Sequence, residues 1–289
     1  MRERDKPIIA VTGAGGQLGQ ELIRLTTAQV DIVGLDRSEL DITDGERCLA
    51  ALSSIRPDIV IHAAAYTAVD QAESEPDEAW RVNVDGTRHV AVAAEAVGAK
   101  FCYISTDYVF DGAGTSPYRE DHPTAPQTIY GKTKLAGEQA AAKAASQCFI
   151  VRTSWVYGRY GNNFVRTMLE LGRSRPQISV VHDQVGAPTC TYDLASFLLD
   201  LTASRKFGIY HASNSGACTW YEFAQAIFRE AGITDVVVLP CTTEQFPRPA
   251  PRPAYSVLGG DALLAAGFAP LRHWRKALRD FLSRSDGKA

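Results

Sequence analysis

Tyr130 and Lys134 stand four residues apart in Tyr130-Gly131-Lys132-Thr133-Lys134, a spacing that puts both side chains on one face of a helix. A phenol has an ordinary pKa of about 10, too high for acid–base work near neutrality without help. A nearby ammonium stabilises the phenolate and lowers that value. The pair therefore suits proton delivery to an oxygen on which negative charge develops. A second set of groups lies upstream in Ser105-Thr106-Asp107-Tyr108-Val109-Phe110. A hydroxyl there can hydrogen-bond the oxygen that Tyr130 protonates.

Gly13-Ala14-Gly15-Gly16-Gln17-Leu18-Gly19 supplies the partner for that chemistry. The glycines at Gly13, Gly16 and Gly19 follow an apolar run, Ile8 to Val11, and open a stretch with Leu18, Leu22, Ile23 and Leu25 at helical spacing. A strand–turn–helix of this kind lets a pyrophosphate approach backbone amides at a helix N-terminus. Asp36 ends the next apolar run, Ile32 to Leu35. Its carboxylate can accept bonds from adenine ribose hydroxyls, which favours NADH, whereas Arg37 can bind a 2′-phosphate, which favours NADPH. Residue chemistry alone leaves other readings open at each place: a tight connection, a solvated Asp-Arg turn, a hydroxyl-rich strand end. Their succession in one chain points to a single dinucleotide-dependent site in which Lys134 also holds the nicotinamide ribose.

The elements that must position these groups alternate. Strand patterns at Ile8 to Val11, Ile32 to Leu35, Ile59 to His62, Phe101 to Ser105 and Phe149 to Arg152 are separated by helical patterns, including Ala79 to Val97 and Lys132 to Ala145. Such alternation predicts an α/β fold: a Rossmann-type, doubly wound parallel sheet with crossover helices. The site then forms beyond the strand C-termini. After Trp155 the pattern loosens. Short strands (Ile178 to Val181, Ile209 to His211, Val236 to Leu239) mix with helices at Ala195 to Thr202 and Tyr221 to Glu230. Residues 1–155 are expected to form the NAD(P)-binding domain and 156–289 a smaller substrate domain, with some elements returning to the main sheet. Pro247, Pro249, Pro251 and Pro253 argue against regular structure in their segment, and Ser285 to Ala289 reads as a frayed tail.

Composition bounds the partners. The 289 residues are 45% hydrophobic and 22% charged, with net charge −3. No basic field is available for nucleic acid, so an anionic substrate must be met by loop amides, helix N-termini or single arginines. No apolar run approaches the ~20 residues of a membrane helix, and Met1 to Pro7 is charged, without the apolar stretch of a signal peptide. Six scattered cysteines lack a C-x-x-C pair or metal-ligand spacing and read as reduced thiols. The expectation is a cytoplasmic protein that binds neither membrane nor nucleic acid.

These motifs resemble the extended short-chain dehydrogenase/reductases, most closely the branch that reduces the C4 ketone of dTDP-4-dehydro-6-deoxy-L-mannose to dTDP-L-rhamnose. The resemblance rests on Gly16-Gln17-Leu18-Gly19, Leu40-Asp41-Ile42-Thr43-Asp44, Ala63-Ala64-Ala65-Tyr66-Thr67-Ala68-Val69-Asp70 with Glu73, and Ser105 to Phe110. It continues through Tyr130 to Lys134, Arg152-Thr153-Ser154-Trp155-Val156-Tyr157, Gly161-Asn162-Asn163-Phe164, Asp183-Gln184 with Gly186-Ala187-Pro188-Thr189, and Arg252-Pro253. It implies catalysis by Thr106, Tyr130 and Lys134. Gly16 to Leu18, Asp36, Asp41, Ile42 and the Ala63, Ala64, Ala65, Tyr66, Thr67 stretch would line the cofactor. Thr67, Val69, Asp107, Tyr108 and Trp155 would face the sugar of a dTDP-sugar substrate, with Asn163 and Arg252 toward its nucleotide. Dehydratases and epimerases of the same superfamily, and the regulatory beta subunit of methionine adenosyltransferase, share much of this pattern. His62 departs from it, standing where asparagine is expected. Glu21 matches an acidic position of magnesium-bridged dimers, but Tyr192 stands where another carboxylate is wanted; no metal is assigned, and a homodimer stays an open expectation.

Overall fold

The computed structural model describes residues 6–26 and 29–285. Six parallel strands form the main sheet: β1 (Ile8–Thr12), β2 (Asp31–Leu35), β3 (Ile59–His62), β4 (Lys100–Thr106), β5 (Cys148–Thr153) and, after a short parallel strand β6 (Gln177–Val181), β7 (Gly208–His211). Their spatial order is β7-β5-β4-β3-β1-β2, so the chain reverses direction between β1 and β3, the point where doubly wound sheets bind ligands. Apolar runs such as Ile59-Val60-Ile61 have no polar alternation because both faces are covered. On one face Leu18 and Leu22 of α1 (Gln17–Arg24) pack with Ile9, Val11 and Ile61. On the other, Cys48 and Leu52 of α2 (Gly45–Ile55), Val90 and Ala94 of α3 (Thr87–Ala96), and Ala141 of α4 (Ile129–Ala144) pack on Ala10, Val60 and Phe101.

Two stretches of the second half join this sheet. β7 pairs with β5, and Leu194, Leu198 and Leu201 of α6 (Thr191–Ala203), which follows α5 (Phe164–Ser174), lie in the same cluster as Leu18 and Leu22. The rest gathers around its own core. There β6 pairs in parallel with β8 (Val237–Cys241), and α5, α7 (Trp220–Glu230) and α8 (Trp274–Ser285) bury Val165, Met168, Phe223, Ile227, Trp274 and Leu278. The proline-punctuated segment lacks helix and strand, as its composition predicts. Of the tail expected at Ser285 to Ala289, Ser285 ends α8 and the remainder lies outside the described residues, as do Met1 to Asp5 of the charged start.

The single helix expected over Ala79 to Val97 is instead three consecutive helical pieces: an α-turn at Pro76–Trp80, a π-helical turn at Arg81–Gly86, and α3. Asn83 lies in the π-helical turn. Its amide is engaged away from the helix, accepting from Tyr66 N at 2.8 Å and donating to Thr133 Oγ1 at 3.0 Å. Gly86 closes the turn against Ile42, whose Cδ1 would lie 2.7 Å from an added Cβ. α4 also begins earlier than its alanine-rich pattern implies. Thr128 caps it by accepting from Gly131 N at 2.9 Å, and Glu73 accepts from Ile129 N at 2.8 Å. Those two bonds satisfy amides that a helix N-terminus leaves open, and they place Tyr130 in the first turn.

Candidate active site

Because the strands are parallel, the loops after β1, β2, β3, β4 and β5 all open on one rim, and there they enclose a cavity of about 1410 Å³. Gly13 has φ +72, and an added Cβ would sit 2.6 Å from Ala64 N, so the loops after β1 and β3 touch backbone to backbone. An added Cβ at Gly19 would meet Gly13 O at 2.3 Å. No side chain caps α1, and Gly16 begins it facing the cavity. These features make a cradle for an anionic group, closed to any side chain larger than hydrogen. The residues fit the diphosphate of a dinucleotide.

Asp36 and Arg37 lie at the far wall with Asp41 and Ile42. One Asp36 oxygen is engaged in a turn, accepting from Ser38 N at 2.8 Å and Ser38 Oγ at 2.6 Å; these bonds hold its carboxyl below the usual range. Asp41 is held low in the same way by the amide and hydroxyl of Thr43. Ala63, Ala64, Ala65, Tyr66, Thr67 and Val69 line the next wall. Asn83 braces this loop by bonding both the amide and the carbonyl of Tyr66.

Thr106, Asp107, Tyr108, Tyr130 and Lys134 converge on the same space. The Thr106 hydroxyl donates to Asp107 Oδ1 at 3.0 Å, while Asp107 Oδ2 is buried without a hydrogen-bond partner among the described residues. Burial pushes the Asp107 carboxyl up to about 6, opposed by the Ser256 and Thr106 side chains. Tyr108 meets Tyr130 edge-on, with ring centroids 5.5 Å apart. Lys134 is buried; its Nζ donates to Ile104 O at 2.7 Å and lies 4.1 Å from the centre of the Tyr103 ring. Burial lowers Lys134 to about 7, against the charge of Glu138 one turn on. Burial also pushes Tyr130 up to about 12; a side-chain hydrogen bond with Thr106 opposes the rise and the Asp107 charge adds to it. The lowering expected from Lys134 therefore does not govern the phenol here. Desolvation dominates, and the ammonium is turned to a carbonyl.

Beneath these groups Arg152 forks onto Glu138 at 2.8 and 2.7 Å, and Ser105 Oγ donates to the same carboxylate at 2.5 Å. The end of β4 is thereby tied to β5 and α4. His62, the departure from the family pattern, is buried as a hydrogen bonder between Thr12 and Thr87, and burial depresses it to about 3, so it is neutral. Glu21 pairs with Arg24 at 2.5 Å and accepts from Thr191 Oγ1 at 3.4 Å.

Trp155 lines the cavity and has φ +46, unusual for a bulky residue. Its indole stacks on Trp220 at 3.5 Å, with the planes 8° apart. Arg252 also lines the cavity, with its guanidinium on Asp70 at 2.8 Å. Asn163 is placed differently from the expectation. Its amide caps α5 through Arg166 N and reaches Gln17 Oε1 at 3.2 Å and Gly158 O at 3.0 Å, while its neighbours Asn162 and Phe164 face the cavity. Trp220, Phe246, Arg248 and Ser256 line the cavity without having been singled out by sequence. For Trp220 a signal existed: Thr219 and Glu222 form a capping box around it.

The family described as the RmlD substrate binding domain matches residues 7–286. The chain is 48% identical to the spore coat polysaccharide biosynthesis protein SpsK of Bacillus subtilis, over 95% of this chain and 96% of that protein. It is 47% identical to a dTDP-4-dehydrorhamnose reductase of Streptomyces griseus, over 98% of this chain and 96% of that one. A crystal structure of dTDP-4-dehydrorhamnose reductase from Bacillus anthracis in complex with NADP superposes with a TM-score of 0.95 at 47% identity, covering 96% of this chain and 99% of that one.

Proposed function

Because the chain belongs to the RmlD substrate binding domain family, we propose that it reduces the C4 ketone of dTDP-4-dehydro-6-deoxy-L-mannose to dTDP-L-rhamnose, with NADPH or NADH. The observation that carries this reading is a single cavity shared by the glycine cradle and the Thr106, Asp107, Tyr130 and Lys134 cluster. When bound, the reduced nicotinamide supplies the hydride.

The chain's own groups do the rest. The α1 N-terminus and the loop amides hold the diphosphate of the cofactor, and Asp36 or Arg37 meets its adenine ribose. Tyr130, kept protonated through neutral pH by its raised pKa, gives its proton to the oxygen on C4 as negative charge develops there. Thr106 orients that oxygen, and Lys134 holds the nicotinamide ribose. Asp107 offers its unpartnered Oδ2 to a sugar hydroxyl. Trp155 stacked on Trp220 forms a flat apolar wall beside the substrate. Arg252 meets the nucleotide, and Asn163 serves it indirectly by fixing the start of α5. Binding energy from the nucleotide positions the reacting ring. In this reading residues 1–155 carry the cofactor and the groups around the reacting carbonyl, and 156–289 add Trp220 and Arg252 to the substrate side. Among the described residues no helix is long and apolar enough to cross a membrane.

The deciding experiment follows reduced-nicotinamide absorbance while freshly prepared dTDP-4-dehydro-6-deoxy-L-mannose is supplied. Consumption of the nicotinamide with formation of dTDP-L-rhamnose is the expected result. Tight cofactor binding with no turnover would instead support a regulatory role.

A further inference from the structure

We propose that Asp70 is a positioning residue that holds Arg252 ready for the diphosphate of the nucleotide sugar, an inference that rests on the substrate class just proposed. Arg252 sits in the proline-punctuated segment, which has no helix or strand to fix its backbone. A long arginine side chain on such a segment would ordinarily sample many conformations. Here Asp70 fixes both parts at once. Its Oδ2 accepts from Arg252 Nη2 at 2.8 Å, and its Oδ1 accepts from the backbone amide of Ala250 at 3.2 Å. Arg252 Nη1 completes the ring by donating to Ala250 O at 3.0 Å.

The carboxylate is itself fixed relative to the reacting groups. Asp70 belongs to a one-turn helix, Val69–Ala72, that directly follows the cavity wall formed by Ala63 to Thr67. Three residues on, Glu73 binds the first amide of α4 at 2.8 Å, next to Tyr130. One short piece of chain therefore ties the position of the arginine to that of the proton donor.

The charges leave room for an anion. Arg248 Nη1 also lies 3.9 Å from Asp70 Oδ2, so two guanidinium groups share one carboxylate. The surplus positive charge faces a cavity in a chain of net charge −3, where an anionic substrate needs local cations. A guanidinium has five N–H donors in a rigid fork. The contacts to Asp70 and Ala250 leave donors of Arg252 for phosphate oxygens.

The test compares wild type, Asp70→Asn, Arg252→Met and the double variant. Asp70→Asn keeps the side-chain shape and removes the charge. It should raise KM for the dTDP-sugar by about 10-fold or more, leaving kcat within about 3-fold. The Kd for NADPH should be unchanged. If Asp70 acts through Arg252, the substitution should add less than about 2-fold in the Arg252→Met background. An unchanged or lowered KM in Asp70→Asn overturns the proposal, as does a full multiplicative effect in the double variant. A parallel loss of NADPH affinity would show that Asp70 supports the cavity as a whole and overturns it equally. Wild-type turnover is measured first. If it is absent, the reductase reading fails, and calorimetric titration of the same four proteins with dTDP decides the role of Asp70: weaker binding in Asp70→Asn than in wild type supports it, and equal binding overturns it.

Discussion

Lys134 sits where its charge is costly. It is buried, touches a carbonyl and an aromatic face, and its pKa falls to about 7. Such a residue destabilises the protein that keeps it, so its position argues for function. Folded Lys134 binds its proton less tightly than unfolded lysine, so folding carries a penalty wherever the unfolded lysine is protonated. That penalty is complete below pH 7 and fades as pH climbs toward about 10.4, the ordinary lysine value. Lys134→Met, which fits the space without the charge, should raise the Tm of the cofactor-free protein at pH 6 and lose that advantage by pH 10, while turnover collapses. Thermal unfolding at the two pH values measures this; an equal shift at both would mean that titration contributes nothing. Tyr130→Phe should leave NADPH affinity nearly unchanged and slow turnover by at least about 10²-fold, the usual scale for a general acid; turnover at the wild-type rate would remove Tyr130 from the reaction. At the other end of the cavity Asp36 and Arg37 make opposed offers to the adenine ribose. Asp36→Ala should shift the ratio of kcat/KM values toward NADPH by removing repulsion of the 2′-phosphate. An unmoved ratio would place Asp36 away from the ribose.

Asn83 shows what an element contributes that its residues do not announce. Its π-helical turn sends one buried amide to Tyr66 in the loop after β3 and to Thr133 in α4. The cavity wall after β3 and the helix α4 share that brace. Asn83→Ala removes the partner of the amide and carbonyl of the half-buried Tyr66, a loss of about 1 kcal/mol. Urea unfolding should report that loss, and NADPH affinity should fall by about 10-fold because the loop is freed; undiminished affinity would mean the loop holds its shape alone. The sequence of Ala79 to Val97 reads as one amphipathic helix because a π turn keeps nearly the same apolar face. The main sheet was legible because doubly buried strands leave near-continuous apolar runs and the glycine loop marks the first crossover. That Tyr130 and Lys134 line one cavity was legible from spacing, since the two need only a helix to share a face. Their electrostatics were not, because desolvation depends on what packs above them: Tyr103 and Ile104 decide the state of Lys134, and no local pattern states that. Asn163 illustrates the same limit. Its motif points to the site, but its side chain serves as a helix cap, while Trp220, distant in sequence, reaches the cavity only through the stacking of two indoles.

At the scale of the whole molecule, one fold serves reduction and elimination alike, and the choice between them rests on what stands at the rim after β4. A dehydratase acting on dTDP-glucose needs a group that takes a proton from C5 and another that helps expel the C6 hydroxyl. This cavity holds one buried carboxylate there, Asp107, followed by Tyr108. Asp107, with its carboxyl pushed up to about 6, can take a hydroxyl or a proton but cannot supply both roles at once. Tyr108 does not fill the gap. Burial and the Asp107 charge raise its phenol, against the pull of Arg252, so it is a poor proton acceptor at neutral pH. Tyr130, Thr106 and Lys134 stand in the same cavity, and among the described residues no second carboxylate stands beside Asp107 at the rim after β4. The protein incubated with dTDP-glucose and NAD should therefore release no 4-keto-6-deoxy product, while the dehydrorhamnose substrate should drive net oxidation of NADPH. Mass spectrometry of both incubations separates the outcomes. Loss of water from dTDP-glucose would require a base that this geometry lacks and would reject the reductase reading; its absence, beside nicotinamide oxidation with the ketone, ties the activity to the residues after β4.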